Sequence, residues 1–306
     1  MKSFEAICYM TQKQVKEYMK SYLASKQYDV VCEDGFLYAK GDVPVMLVAH
    51  MDTVHKEQPN MIARCDGKIS SPQGIGGDDR CGVYIIANIV RTLHCSVLLC
   101  EDEEIGGIGA NKFVKSKYSK DLGINYMIEL DRRGSNDAVF YSCDNADFID
   151  FVTDNTGYKQ ASGSFSDISI LMPATKLCGV NLSSGYYKEH TTDEYVMYDE
   201  MMATMDAAIG LIKTECGKPF EYVPKKYSYQ PTSYASTTPT QYTAKKTMAQ
   251  LARADMSLEL EVVMVMKDGQ EQVIYGSGET KAECWLDLFS NYPYLCFNDI
   301  VDYCFM

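Results

Sequence analysis

The sequence predicts an α/β fold: a mostly parallel or mixed central sheet flanked by helices, with a small α+β module appended. Three observations predict it. Short apolar, β-branched runs, VMLVAH at Val45–His50 foremost, read as buried core strands. Stretches with helical spacing alternate with them, which requires a sheet covered on both faces. The composition also changes after Pro224, where a Ser-, Thr-, Tyr- and Pro-rich stretch precedes a second patterned region.

In chain order, the spacing predicts one helix over about Phe4–Leu23, then a hairpin of Tyr28–Cys32 and Phe36–Ala39 around Asp34-Gly35. The strand ending at His50 follows, then a short hairpin of Met61–Arg64 and Lys68–Ser70. A glycine-rich loop, Gly74 to Gly77, leads to Asp78-Asp79 and a helix from Asp79 to about Val90, so both aspartates are expected at a helix N-terminus. Core strands are expected at Ser96–Cys100, Asn125–Leu130, Ala138–Tyr141 and Lys176–Val180. Helices are expected over Ala146–Val152, Ser166–Leu171 and Asp199–Thr214, with Gly185–Val196 a loop. Residues 1–222 are thus expected to form one domain and 223–248 a linker. A ββα module over 249–306 has strands at Ser257–Met266 and Gln272–Tyr275 and a helix at Lys281–Phe289.

The chain's 306 residues suffice for one large α/β domain and a smaller unit. A net charge of −13 argues against a nucleic-acid surface, which needs clustered Lys and Arg. No stretch approaches the length of a membrane span, and the N-terminus lacks a signal peptide's apolar core. The twelve cysteines are scattered without a Cys-x-x-Cys pair. They read as reduced thiols of a cytoplasmic protein, not as a structural zinc site.

The chemistry lies where the strands end, since ligands of α/β sheets bind beyond the carboxyl ends of the strands. The strand at Val45–His50 finishes in His50-Met51-Asp52, that at Ser96–Cys100 runs into Glu101–Glu104, and that at Asn125–Leu130 runs into Asp131. A histidine or aspartate at one such end is explained by local capping. The same feature at several ends is not. His50, Asp52, Asp78, Glu103, Glu104, Asp131 and His190 form a nitrogen and oxygen set suited to zinc, and also to manganese or cobalt. Two such ions need a bridging carboxylate and a further pair of ligands each, and together they activate water for acyl transfer.

In His50-Met51-Asp52, Gly77 to Gly82, Glu103 to Gly106, Glu129-Leu130-Asp131 and His190 to Glu194, in that order, the chain resembles the co-catalytic zinc exopeptidases. These include bacterial zinc aminopeptidases, peptidase T and glutamate-type carboxypeptidases. The resemblance spans roughly residues 1 to 215. It implies Asp78 as the metal bridge, His50 and Asp131 completing one metal site, and Glu104 and His190 the other. It implies Glu103 as the base that deprotonates a metal-bridging water, Asp52 as the acid orienting His50, and a cis peptide bond after Asp78. The intervals between the motifs are too short for the lid or dimerisation domains of some relatives. The catalytic domain is therefore expected to be compact, like the small monomeric aminopeptidases, although the oligomeric state stays open. An aminopeptidase acting on short peptides is the first reading, with an N-acyl amino acid deacylase on the same site as the alternative. A single-zinc glutaminyl cyclase or a non-catalytic binding protein is disfavoured by the full ligand set.

Other residues carry weaker signals. His55 and His94 have no place in the pattern and read as surface or local histidines. Arg132 and Arg133 either bind a substrate carboxylate or offset the acids, and Ser164 to Asp167 is either a substrate-side loop or a helix cap. Tyr186 and Tyr187 lie close to His190 in sequence and are candidate pocket residues.

Overall fold

Capping decides how the chain begins. Ser3 accepts the Ala6 N–H at the start of α1 (Phe4–Cys8), and Thr11 forms a reciprocal capping box with Gln14 at the start of α2 (Gln12–Ser25). The helix expected over Phe4–Leu23 is therefore two, because the Thr11 side chain satisfies the free amides of a fresh helix start. The computed structural model describes residues 1–225, 258–265, 271–278, 284, 288 and 300–305. The chain divides into two units, Met1–Ser228 and Tyr229–Met306.

In the first unit, β1 (Val30–Glu33) and β2 (Phe36–Ala39) form the expected hairpin, followed by β3 (Val43–His50) and the short pair β4 (Ala63–Cys65) and β5 (Lys68–Ser70). Next come α3 (Gly77–Ile89), β6 (Cys95–Cys100), α4 (Ile108–Lys115) and β7 (Tyr126–Arg132). They are followed by β8 (Asp137–Val139), α5 (Ala146–Thr156), β9 (Lys159–Ala161) and α6 (Asp167–Thr175). The unit closes with β10 (Gly179–Ser183), β11 (Tyr186–Tyr187), β12 (Tyr195–Met197) and α7 (Tyr198–Lys213).

Eight strands form one mixed sheet in the order β1-β2-β6-β3-β7-β10-β8-β9. Its centre, β6-β3-β7-β10, is parallel, and antiparallel neighbours flank it at β2 and β8. All of β6 and the last six residues of β3 are buried, which is why both read as unbroken apolar runs. Helices pack in two groups, α3 with α1 and α7, and α4 with α6, and both groups touch the sheet. Register then places the site. His50 pairs with Cys100 and Val48 with Glu129, so β3, β6 and β7 release the chain at one edge.

Several elements differ from the sequence reading. Asp78 and Asp79 have non-helical backbone angles and are joined by a cis peptide bond, so regular α3 begins only beyond them. Strand β10 starts at Gly179 instead of Lys176, because Lys176 adopts φ 62° and closes α6 through its N–H to the Met172 carbonyl. Strand β9 has no counterpart in the sequence reading. The expected loop over Gly185–Val196 contains β11 and β12, which join β5 and β4 in a four-stranded sheet. Those strands are two and three residues long; β11 pairs with its chain neighbour β12, and β12 in turn pairs with β5, far back in the chain.

In the second unit, β13 (Leu258–Val265), β14 (Glu271–Gly278) and β15 (Ile300–Phe305) form an antiparallel sheet in the order β14-β13-β15. Cys284 and Leu288 are helical and buried, within the expected Lys281–Phe289 helix. Strand β15 was not expected. From residue 226 onward the expected 223–248 linker lies outside the described residues. Among the described residues no helix is long and apolar enough to cross a membrane.

An aromatic cluster secures β7 against the C-terminal part of the first unit. Phe148 of α5 is fully buried, with ring centroids 5.1 Å from Phe220 and 5.8 Å from both Tyr126 and Phe140. Truncation leaves a cavity in a close-packed interior. Phe148→Ala is expected to lower the unfolding free energy by about 3–5 kcal/mol in urea denaturation. A loss below about 1 kcal/mol would show that the cluster does not carry this packing.

Candidate metal centre

The end of β3 delivers His50 in a buried position, 1% exposed. Its Nδ1 lies 3.2 Å from Asp52 Oδ1. Asp52 also accepts the backbone N–H groups of Glu103 (3.1 Å) and Glu104 (3.0 Å), so one carboxylate orients the imidazole and the loop leaving β6. That loop follows β6 directly because Glu101 N–H donates to Gly35 O and Gly109 N–H to Glu101 O, folding the chain back toward α4.

Asp78 lies between two imidazoles. Its Oδ1 is 3.0 Å from His50 Nε2, and its Oδ2 is 3.3 Å from His190 Nε2. Asp131 Oδ1 is 3.5 Å from His50 Nε2, and Glu104 Oε2 is 3.1 Å from His190 Nε2. The result is two groups sharing one carboxylate: His50, Asp78 and Asp131, and Asp78, Glu104 and His190. Within each group the candidate ligand atoms all lie within 4.8 Å of one another. All five residues singled out as ligands from the sequence are brought together, with Asp52 and Glu103 beside them. Asp79 points elsewhere, accepting the N–H groups of His50 (3.2 Å) and Gly82 (2.9 Å).

The electrostatics are those of a site crowded with acids. Burial works against the charged form of His50, but Asp131, Asp52 and Asp78 outweigh it and hold its pKa well above the ordinary range. His190 is pushed up to about 11 by its hydrogen bonds to Asp78 and Glu104. Asp78 is held low against its burial by the same two imidazoles. Glu103 is raised well above the usual carboxylate range by burial, with Asp131, Asp167 and Glu104 adding to it against His50. Burial likewise raises Asp167 to about 7 and lifts Glu129 well above the usual carboxylate range. Glu104 Oε1, Glu129 Oε2 and both carboxylate oxygens of Asp167 are buried without a hydrogen-bond partner. Of these, Glu104 belongs to the nitrogen and oxygen donor set, and its orphaned buried oxygen fits a divalent cation, which would supply positive charge there.

Supporting residues surround Asp131. Tyr186 OH donates to its Oδ1 and Ser166 Oγ to its Oδ2, both at 3.0 Å, while Asn181 accepts its N–H (2.9 Å) and donates to its carbonyl (2.6 Å). Tyr186 is thus on the candidate cluster, whereas Tyr187 turns away to Glu200 (2.5 Å). Ser166 precedes α6 and spends its hydroxyl on Asp131, so neither a plain helix cap nor a substrate loop describes it fully. Arg132 and Arg133 pair with Asp137 and Glu189, outside the cluster. His94 is local, on Asp42 (3.0 Å) and stacked on Tyr28. His55 is not a surface residue. It lies 2.7 Å from the buried Glu194, a contact made only when the chain folds back. Asn181 is not singled out from sequence, while Glu194, Arg80 and Asp167 lie within the motif stretches without a role of their own there. Arg80 stands out as a charge in a glycine-rich stretch and Asn181 as a polar residue in an apolar one, whereas Glu194 lies in a polar run that gives no such signal.

A model of peptidase family M28 matches residues 37–233. No curated protein matches the sequence. Among solved structures, aminopeptidase PepT from Bacillus cereus superposes with a TM-score of 0.57 at 14% identity, covering 68% of this chain and 96% of that one. A tripeptidase from Staphylococcus aureus gives 0.56 at 14% identity, with coverage of 69% and 96%. A glutaminyl cyclase from Tannerella forsythia gives 0.52 at 14% identity, with coverage of 68% and 94%. At such identity these likenesses speak for the fold. The family match speaks for more, because it spans all five strand-end motifs and agrees with the resemblance they carry. The chain belongs to peptidase family M28, and with it to the metal-dependent peptide hydrolases.

Proposed function

We propose that this protein is a two-metal aminopeptidase acting on short peptides. In this reading residues 1–222 are the catalytic domain, tethered through 223–248 to the small second unit. His50 and Asp131 hold one divalent ion, Glu104 and His190 hold the other, and Asp78 serves both. The observation that carries the proposal is the position of Asp78, which turns one carboxylate oxygen toward each imidazole, at 3.0 and 3.3 Å. Zinc suits the donor set best, and manganese or cobalt also fit it. Bound there, such ions supply Lewis acidity for the scissile carbonyl and bring the pKa of water toward neutrality.

The chain's own residues do the rest. Glu103 takes a proton from the attacking water and returns it to the leaving amine. Its raised pKa in the metal-free protein reflects a carboxylate kept from solvent, a condition that favours proton transfer near neutral pH. Asp52 fixes the His50 ring and, through the Glu103 and Glu104 amides, the direction in which both glutamates point. Tyr186 and Ser166 hold Asp131. A free N-terminal ammonium suits a wall of carboxylates, which favours an aminopeptidase over a deacylase. The structural neighbours named as an aminopeptidase and a tripeptidase agree with that choice.

The decisive experiment measures metal content together with hydrolysis of a panel of amino-acid amides, before and after chelation. Two ions per chain are expected, with activity lost on chelation and restored by zinc, manganese or cobalt. Turnover of N-acylated substrates alone would make the protein a deacylase, and one ion per active chain would point to a cyclase-like centre. Glu103→Gln is expected to retain both ions while kcat falls by about 10²–10⁴-fold. Unchanged turnover would remove Glu103 from its role.

Metal binding is also expected to release protons. His190, with its pKa pushed up to about 11, is protonated at neutral pH in the metal-free protein, whereas a ligating imidazole must be neutral. Apparent affinity should therefore rise by about tenfold per pH unit for each proton released, between neutral pH and the His190 pKa. Calorimetry in buffers of different ionisation enthalpy reads the released protons directly, and a buffer-independent enthalpy would contradict it.

A further inference from the structure

We infer that Glu194 and His55 form a buried clamp that spaces the metal ligands, so that these two residues set how tightly the cluster binds its ions. The inference rests on the two-metal reading above. Three separate segments carry ligands into the centre: the loop leaving β3 with His50, the glycine loop before α3 with Asp78, and the β11–β12 connection with His190. Each of the three is tied to the same carboxylate. Glu194 stands four residues after His190 and is 1% exposed. Its Oε1 accepts the Asp78 N–H at 2.9 Å, and its Oε2 accepts the Gly76 N–H at 2.9 Å. His55, five residues after His50, closes the third tie, with Nε2 2.7 Å from Glu194 Oε2 and a side chain only 9% exposed.

The surrounding backbone is shaped to admit this pair. A Cβ at Gly74, which has φ +84°, would come within 2.1–2.5 Å of the His55 ring. A Cβ at Gly77 would come within 2.6 Å of Val196 and 3.3 Å of Glu194 Oε1. Glycine at these two positions lets the loop lie flat against the clamp. The carboxylate accepts two backbone N–H groups and one imidazole, so it is satisfied without touching a ligand atom. Glu194 and His55 are therefore positioning residues. Their leverage comes from what they hold: the backbone of Asp78, the one side chain common to both metal groups. A small displacement there changes the distances to His50 and His190 together. A displacement of Glu104 or Asp131 would change one group only.

The test titrates the metal-free full-length protein with zinc ions against a chromophoric chelator, for the unsubstituted chain and for E194Q, H55A and H55Q. The melting temperature of each metal-free protein is measured alongside. In E194Q the amide places donors against backbone donors. Affinity for both zinc equivalents is expected to fall together by about 10–100-fold, the range typical for groups that orient metal ligands. H55A should lose less, and H55Q, which restores a side-chain donor, should recover part of that loss. If E194Q does not fold, the two His55 variants decide. Variants that bind both zinc equivalents as tightly as the unsubstituted chain, with only their melting temperatures lowered, would show a purely structural ion pair and overturn the inference. Weakening of one equivalent alone would overturn it too. Failure of the unsubstituted chain to bind two zinc ions would instead strike the two-metal reading itself, and the inference with it.

Discussion

The constraint on which the structure depends is the gathering of carboxylates at one buried edge of a sheet. Asp52, Asp78, Asp79, Glu103, Glu129, Asp131 and Asp167 are buried or nearly so, and several face each other. Taking a carboxylate out of water is costly unless it is paired or hydrogen-bonded. The protein meets that cost locally in three ways. Two imidazoles stand between the acids. Backbone N–H groups at the loop ends point at Asp52, Asp79 and Glu194. Arg80 is buried behind them and donates to the Met51 and Met10 carbonyls. Burial works against the Arg80 charge, while nearby Asp52, Asp79 and Glu194 help sustain it. What remains unpaired are buried oxygens of Glu104, Glu129 and Asp167, of which Glu104 stands in the candidate metal groups.

The fold is the means of holding such a site in place. Parallel strands in register end at the same edge, so residues from β3, the loop after β6 and the end of β7 meet without any one segment being long. The core beneath them is apolar and close-packed, and it fixes those strand ends. Irregular pieces supply the rest of the candidate cluster: the glycine loop before α3, and a β11–β12 connection in which Lys188 and His190 both have positive φ. Rigid strands set the distances while unusual backbone in the loops aims the side chains.

The sequence alone determined the strands at the centre of the sheet and the residues standing at their ends. Both are written locally: a fully buried parallel strand must be a continuous apolar run, and an acid or histidine at its end breaks that run visibly. The gathering of His50, Asp78, Glu104, Asp131 and His190 as candidate ligands was therefore legible, as was the place of Asp52 and Glu103 beside them. Tertiary structure alone decided the break between α1 and α2, the strands β9, β11 and β12, and the start of β10. These depend on a cap or on partners distant in the chain, and their own residues are too few to show a period. It alone decided that Ser166 and Tyr186 hold Asp131, that Arg132 and Arg133 pair with Asp137 and Glu189, and that His55 is buried on Glu194. A side chain's partner across more than a hundred residues leaves no mark in local spacing, because that contact exists only after the sheet has brought the loops together.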